Sequence, residues 1–326
     1  MPGLQSDKNR SQKLGLRNLT DSDLNKIHQA TLEVLEKTGL FIETEEALEI
    51  FDGAGAQIDR QHKIVKIPPH VVEDAIQSAP SRILLAGRDP QHDKELGSGR
   101  VYFTNFSEGI EVVDPFNRER RVPVKSDLAN AARLVDYLDE IDVCEKAVGS
   151  SDVPPKVLPL HNAEAMLTNT TKHCCVGPAS GYLLQKLVKI ASVISGGLKK
   201  FQERPILSFT TCPVSPLTLI NECCEIIMEA ARTGSVVNIL SMAMAGGTSP
   251  VTLAGTIVTH NAEVLGGITL NQIVRKGAPV IYGSSTTAMD LKIAAASVGT
   301  PECAVISGAV ARLARYYALP SYVAGG

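Results

Sequence analysis

The sequence predicts an α/β fold: a (β/α) TIM-type barrel, incomplete at its C-terminal side, behind an N-terminal α+β preamble. Three observations carry this expectation. From about Asp127 onward, short apolar runs alternate with segments long enough to be helices, the pattern of parallel βα units. The runs are almost continuously apolar, as strands buried on both faces must be. Hydroxyl–proline pairs recur between strand and helix at Ser215–Pro216, Ser249–Pro250 and Thr300–Pro301, each joining a capping side chain to a proline suited to the first helical turn. No G-x-G-x-x-G or P-loop follows the early strands, which favours a barrel over a doubly wound nucleotide-binding sheet.

Taken in order, residues 1–17 read as a disordered tail without the apolar stretch of a signal peptide. Residues 18–126 form the preamble. In "LTDSDLNKIHQATLEVLEKTG", Thr20 or Asp21 can cap a helix whose apolar positions Leu24, Ile27, Val34 and Leu35 share a face, and Gly39 ends it. A second helix is expected at "ETEEALEIFDGAG", a strand at "KIVKIP" and a helix from Pro68–Pro69. "RVYFTNF" and "IEVVDPFNRERRVPV" read as strands, the latter around a turn at Asp114–Asn117.

The partial barrel occupies residues 127–326. Its strands are expected at Val143–Gly149, His173–Gly177, Ile206–Cys212, Val236–Met242, Pro279–Ser284 and Ser321–Ala324. "VYFTN" is a candidate seventh. Eight strands close such a barrel, and six with no helix after the last would leave an apolar edge bare, which natural proteins avoid. On this ground the 326 residues read as a truncated chain, expected alone to be poorly stable and inactive.

Composition narrows the function. The chain is 44% hydrophobic with a formal net charge of −3, which argues against capture of nucleic acid or an anionic membrane surface. No apolar run reaches the ~18 residues of a membrane span. Seven cysteines, none in C-x-x-C spacing, read as reduced residues of a cytoplasmic protein rather than disulfides or a metal site.

In a barrel the chemistry belongs at the C-terminal ends of the strands. Those ends read "TTCPVSP", "LSMAMAGGTSP", "YGSSTTAMD" and "VAGG". The segment from Gly283 to Gly299 is long for a βα loop, which marks it as functional. Gly246 and Gly247 would let a ligand approach the backbone, with N–H groups from Thr248 onward available to an anion. Tyr282, Ser284, Ser285 and Tyr322 are expected to line the mouth, and Asn105 and Glu108 of the preamble are further candidates. His260 and Glu263 share one helix face, where packing or an interface is expected of them. No Ser/His/Asp set, Cys/His set or carboxylate pair is visible, so the reactive group is a cofactor or lies beyond Gly326.

The stretch "PILSFTTCPVSPLTL…VVNILSMAMAGGTSPVTLAGTIVTHNAEVLGGI…VIYGSSTTAMDLK…GTPE…LPSYVAGG", with "IVKIPPHVVEDAIQSAPS" and "GRDP" before it, resembles the trimethylamine–corrinoid protein methyltransferase family over nearly the whole chain. The resemblance implies a (β/α)-barrel enzyme that moves a methyl group from trimethylamine to the Co(I) corrinoid of a cognate partner protein. It binds no cofactor directly and is expected to self-associate. In the trimethylamine branch a pyrrolysine, encoded by an in-frame amber codon, follows the "LPSYVAG" strand, and the amine would react as an adduct with its ring imine. The catalytic residue is then expected immediately after Gly326, with Tyr282, Ser284, Ser285 and Tyr322 around it. The alternatives are a pyrrolysine-independent enzyme acting on glycine betaine or another quaternary amine, and an inactive barrel fragment serving as a binding module. Zero tryptophan and few tyrosines and phenylalanines disfavour an aromatic cage for a quaternary ammonium.

Overall fold

A computed structural model describes residues 19–324; the tail at 1–17 and the final two glycines lie outside them. The six strands expected from the apolar runs all form: β1 (Val143–Glu145), β2 (His173–Val176), β3 (Leu207–Thr211), β4 (Val237–Ser241), β5 (Val280–Ser284) and β6 (Ser321–Val323). They pair in sequence order, every pair parallel, into one curled sheet that makes a half-barrel. The "VYFTN" segment does not become a seventh strand. It meets β1 through a single parallel bridge, Thr104 to Val143.

Helices connect the strands as the alternation requires: α5 (Leu158–Leu167), α6 (Gly181–Ser195) with α7 (Leu198–Glu203), α8 (Asn221–Thr233), α9 (Leu253–Val274) and α10 (Pro301–Tyr316), preceded by α4 (Lys125–Tyr137) before β1. Of the three hydroxyl–proline pairs, only Thr300–Pro301 caps a helix directly. Ser215–Pro216, a cis peptide, leads into a two-residue strand at Thr218–Leu219, and α8 starts three residues after Thr218. Ser249 lies in the loop before α9, which Thr252 caps instead. In both loops the chain has a further task before the helix, so the cap falls to a later residue or is not made by a side chain.

The preamble holds α1 (Asp21–Glu33), α2 (Glu45–Gly53) and α3 (Pro69–Ser78). Thr20 and Asp23 form a capping box at the start of α1, and a π-helical turn at Val34–Thr38 carries the chain to Gly39, whose φ of 80° ends it. The expected strand Ile64–Lys66 pairs with Leu40–Ile42 and Gln57–Asp59, and Leu40–Ile42 also pairs in parallel with Thr218–Leu219 of the barrel region. The preamble is thus hydrogen-bonded into the loop after β3.

Alternation along the strands sorts side chains by face. Cys174, Phe209, Ile239 and Tyr282 face the helices within the main core. Val143, Cys175, Val236 and Ile281 face inward, where they pack on Ile83 and Leu85. Those two come from a hairpin, Ile83–Leu85 with Lys94–Leu96, that plugs the N-terminal end of the sheet. His173 fixes the plug: its Nδ1 lies 3.1 Å from the Ala86 carbonyl and its Nε2 2.8 Å from Ser208 Oγ. Arg204 grips Asp93 through two nitrogens at 2.6 and 2.9 Å. With that end filled, only the C-terminal end of the sheet is left for chemistry.

Helix α9 is buried along nearly its whole length, 15 of its 22 residues being buried. It lies between the sheet and the preamble. A Cβ on Gly267 would sit 3.0 Å from Ile239, and one on Gly266 would sit 2.1 Å from Leu40, so consecutive glycines let α9 close on both layers. Its polar side chains therefore need internal partners. Glu263 accepts from Ser241 Oγ at 2.6 Å, Ser215 Oγ at 2.8 Å and Leu217 N at 2.9 Å. Asn261 donates to Thr31 Oγ1 and the Tyr317 hydroxyl, both at 2.8 Å, and accepts from the Tyr282 hydroxyl at 2.6 Å. His260 meets Thr286 Oγ1 at 3.0 Å. Packing, as expected from their shared helix face, is the role the structure gives His260 and Glu263.

Replacing Glu263 by Ala strands two hydroxyls and a backbone N–H. In the full-length protein we expect a loss of about 3 kcal/mol or more, read by urea unfolding, with faster amide exchange at Ser215–Leu217. A variant as stable as wild type would show that the Glu263 bonds do not hold these loops.

Candidate active site at the polar end of the curled sheet

Beside and above the apolar plug the inward face carries Glu145 on β1, Cys175 on β2, Thr210 on β3 and Asn238 on β4, with Gly283 on β5 and Tyr322 on β6. Register aligns them across neighbouring strands, Glu145 with Cys175, Thr210 with Asn238 and Gly283 with Tyr322. Hydrogen bonds join them side to side. The Asn238 amide donates to Thr210 Oγ1 at 3.5 Å, Thr210 Oγ1 lies 3.1 Å from Cys175 Sγ, and Cys175 bonds the Glu145 carboxyl. Tyr322 closes the arc from the far edge, packing against the inward cluster with its hydroxyl in the fields of Glu145 and Cys175.

Glu145 is 8% exposed, and burial pushes its carboxyl up to about 7. The Cys175 hydrogen bond opposes that shift, the Glu108 charge adds to it and the Lys146 charge opposes it. Burial likewise drives the Cys175 thiol well above its usual range, so it stays a donor. The Tyr322 phenol is pushed up to about 12, first by burial and then by the Glu145 charge, against a hydrogen bond from Thr104. At neutral pH the arc therefore holds one group, Glu145, poised to exchange a proton.

The preamble positions this carboxyl. Asn105 clamps the Glu145 backbone on both sides, accepting from its N–H at 2.9 Å and donating to its carbonyl at 3.0 Å. Glu108, with φ at 65°, sits at the rim, where its carboxylate pairs with Lys146 Nζ at 2.7 Å. Both preamble candidates thus lie beside the arc. Tyr322 points into it. Tyr282 does not: fully buried, it faces α9, edge-on to His260. Ser284 shares that outward face, its Oγ accepting from Thr286 N at 3.1 Å, and Ser285 donates its backbone N–H to the Ser241 carbonyl at 2.9 Å.

Gly246 and Gly247 lie apart from the arc, in the tight turn that follows β4. The N–H groups of Gly247, Thr248 and Ser249 all donate to the Met244 carbonyl, so the turn uses the donors that an anion would need. A Cβ on Gly247 would meet Met289 Sδ at 2.3 Å. That methionine belongs to the segment after β5, which folds into a hairpin, Thr287–Asp290 with Ala295–Ala296, bonded to Met244–Ala245. Sequence reasoning passed over Glu145, Cys175, Thr210 and Asn238. The legible signal was a polar residue inside a buried apolar run, as in "DVCE" and "VVNILS".

A curled parallel β/α sheet, plugged at one end and carrying a buried carboxyl in a polar arc at the other, fits a barrel-type enzyme scaffold, whose site is expected at the strand C-termini. Residues 7–326 match the family model described as "Trimethylamine methyltransferase (MTTB)", and the chain belongs to that family. It is 51% identical over 317 residues to the trimethylamine methyltransferase MttB of Desulfitobacterium hafniense (strain DSM 10664 / DCB-2), covering 97% of this chain and 64% of that protein. To the MttB of Methanosarcina thermophila it is 42% identical over 313 residues, covering 94% and 64%. A glycine betaine methyltransferase of Desulfitobacterium hafniense (strain Y51) is 33% identical over 310 residues, again covering 94% and 64%. The chain thus spans about two-thirds of the length of these relatives. The solved monomethylamine methyltransferase of Methanosarcina barkeri shares the fold, with a TM-score of 0.53 at 16% identity over 92% of this chain and 67% of that one.

The raised Glu145 carboxyl predicts a pH signature. A group whose folded value lies above its unfolded one binds more protons in the fold, so stability falls as pH rises from about 4.5 to about 7. Glu145→Gln removes that loss. The variant should match wild type at pH 4 and exceed it above pH 7 by up to about 3 kcal/mol, measured as unfolding midpoints of the full-length protein across pH. A constant difference across that range would mean that the carboxyl is not held this way.

Proposed function

We propose that the full-length protein transfers a methyl group from trimethylamine to the Co(I) corrinoid of a partner protein, through an adduct with a pyrrolysine at the position following Gly326. The observation that carries this reading is family membership joined to the polar arc: β6 runs parallel to β5 and leaves the sheet at the same end as Glu145. Tyr322 on β6 lies within the field of Glu145, the only buried carboxyl that faces inward among the described residues, which supports placing the reactive group next along the chain.

The chemistry explains why such an arc is useful. Direct loss of methyl from neutral trimethylamine would expel an amide anion, a poor leaving group, so the nitrogen must first become quaternary. The ring imine of pyrrolysine supplies the electrophile for that, and the partner's corrinoid supplies the nucleophile. This chain's residues bind, orient and manage protons. Asn105 holds Glu145 in place, Cys175 hydrogen-bonds its carboxyl, and Tyr322 covers the arc from β6. The apolar plug at the other end keeps water from entering behind the site. Glu145, ionising near neutral pH, can give or take the proton that accompanies addition of an amine to an imine.

The 33% identical glycine betaine methyltransferase favours a second reading, a pyrrolysine-independent enzyme acting on a quaternary amine. One experiment separates the two. The gene should continue past Gly326 through a UAG codon, and the protein made with pyrrolysine should methylate a Co(I) corrinoid protein from trimethylamine, followed by the cobalt spectrum. Suppressing that codon with lysine should abolish the transfer. A sense codon at that position, with transfer from glycine betaine instead, supports the second reading and overturns the first; a different stop codon with no coding frame after it overturns both.

A further inference from the structure

Asn238 is the one member of the arc left incomplete. It is 3% exposed, its amide N–H points along the chain toward Thr210, and its carbonyl oxygen Oδ1 has no hydrogen-bond partner. Buried amide oxygens are normally paired, because leaving one bare forfeits the bonds it made with water. The fold makes room for this one. A Cβ on Gly283 of the adjacent strand would stand 2.1 Å from Oδ1, so only glycine there leaves the oxygen its place.

The direction of the hydrogen bonds says what is missing. Asn238 donates to Thr210, Thr210 can donate to Cys175, and Cys175 donates to Glu145. The hydrogen bonds of this row run toward the carboxyl, leaving an uncharged acceptor without a partner at one end and a carboxyl at the other. A ligand completing this arrangement must donate a hydrogen bond, and the carboxyl favours one that carries positive charge. A protonated tertiary amine has one N–H and three alkyl groups. A quaternary ammonium has the same charge and nearly the same shape with no donor.

We propose that Asn238 Oδ1 accepts the single N–H of a protonated tertiary amine, and that this bond separates trimethylammonium from quaternary ammonium compounds at the site. The inference rests on the trimethylamine reading above and gives it a substrate-selecting residue. A site built around a buried acceptor rejects an analogue lacking the donor far more strongly than one differing only in a methyl group.

The test is binding of trimethylammonium and tetramethylammonium chlorides to the full-length protein at pH 7, by calorimetry, for wild type, Asn238→Leu and Asn238→Asp. Wild type should prefer trimethylammonium by roughly tenfold or more. Asn238→Leu should bring the two affinities within about twofold, while Asn238→Asp, which keeps an acceptor, should retain the preference. Equal binding of the two ions by wild type, or an unchanged preference in the Leu variant, overturns the proposal. If the Leu variant fails to fold, Asn238→Ala takes its place: affinities within about twofold support the proposal and an unchanged preference overturns it. Turnover keeps the two claims apart. Methyl transfer from trimethylamine with no effect of Asn238 on preference removes only this inference, whereas the predicted preference without transfer from trimethylamine removes only the proposed function.

Discussion

The structure depends on burying one long helix on every side. α9 must touch the sheet with one face and the preamble with the other, and the paired glycines at 266 and 267 permit both approaches. Once enclosed, the helix has no water for its polar groups, so each of Glu263, Asn261 and His260 is bonded to different elements: the loop after β3 and the end of β4, helix α1 with Tyr317 and Tyr282, and the segment after β5. These bonds are worth little singly but much if broken, because the partners left behind have nothing else to pair with. Burial keeps His260 neutral, its imidazole lowered to about 3, and raises the Glu263 carboxyl against its three hydrogen bonds.

That anchoring lets the curled sheet divide its work by face and by end. The outer face is core. The inner face is apolar at the plug, where His173 has its value lowered to about 4 by burial and stays an uncharged connector, and polar toward the C-terminal ends. Toward those ends the fold holds a buried carboxyl, Glu145, and an amide oxygen, that of Asn238, with no hydrogen-bond partner. Such groups cost stability in a low-dielectric interior, and the places where a protein accepts that cost are where its chemistry is to be sought.

The preamble, which in sequence looks like a separate α+β region, contributes directly to this end. Its Asn105 replaces the backbone partner that a further parallel strand would give Glu145, and Phe103 accepts from both Asp142 and Val143. The edge of β1 is thereby capped by side-chain and irregular backbone bonds, which blunts an otherwise bare strand. The same contacts hold Glu145, so edge protection and site construction are one piece of structure.

The sequence by itself determined the repeating βα order, the six strand positions to within a few residues and the caps of α1 and α10. Apolar runs and capping residues are local signals, and local physics suffices to read them. It could not assign faces. Tyr282 and Tyr322 both read as strand-borne hydroxyls near the mouth, yet one turns out to α9 and the other in toward Glu145, because strand direction alternates and only the curl of the sheet says which side is inside. Nor could it pair Asn105 with Glu145, 40 residues apart, or show that Asn238 is left with a bare oxygen over Gly283. Those are relations between strands brought together by long-range packing, and only the tertiary structure decided them.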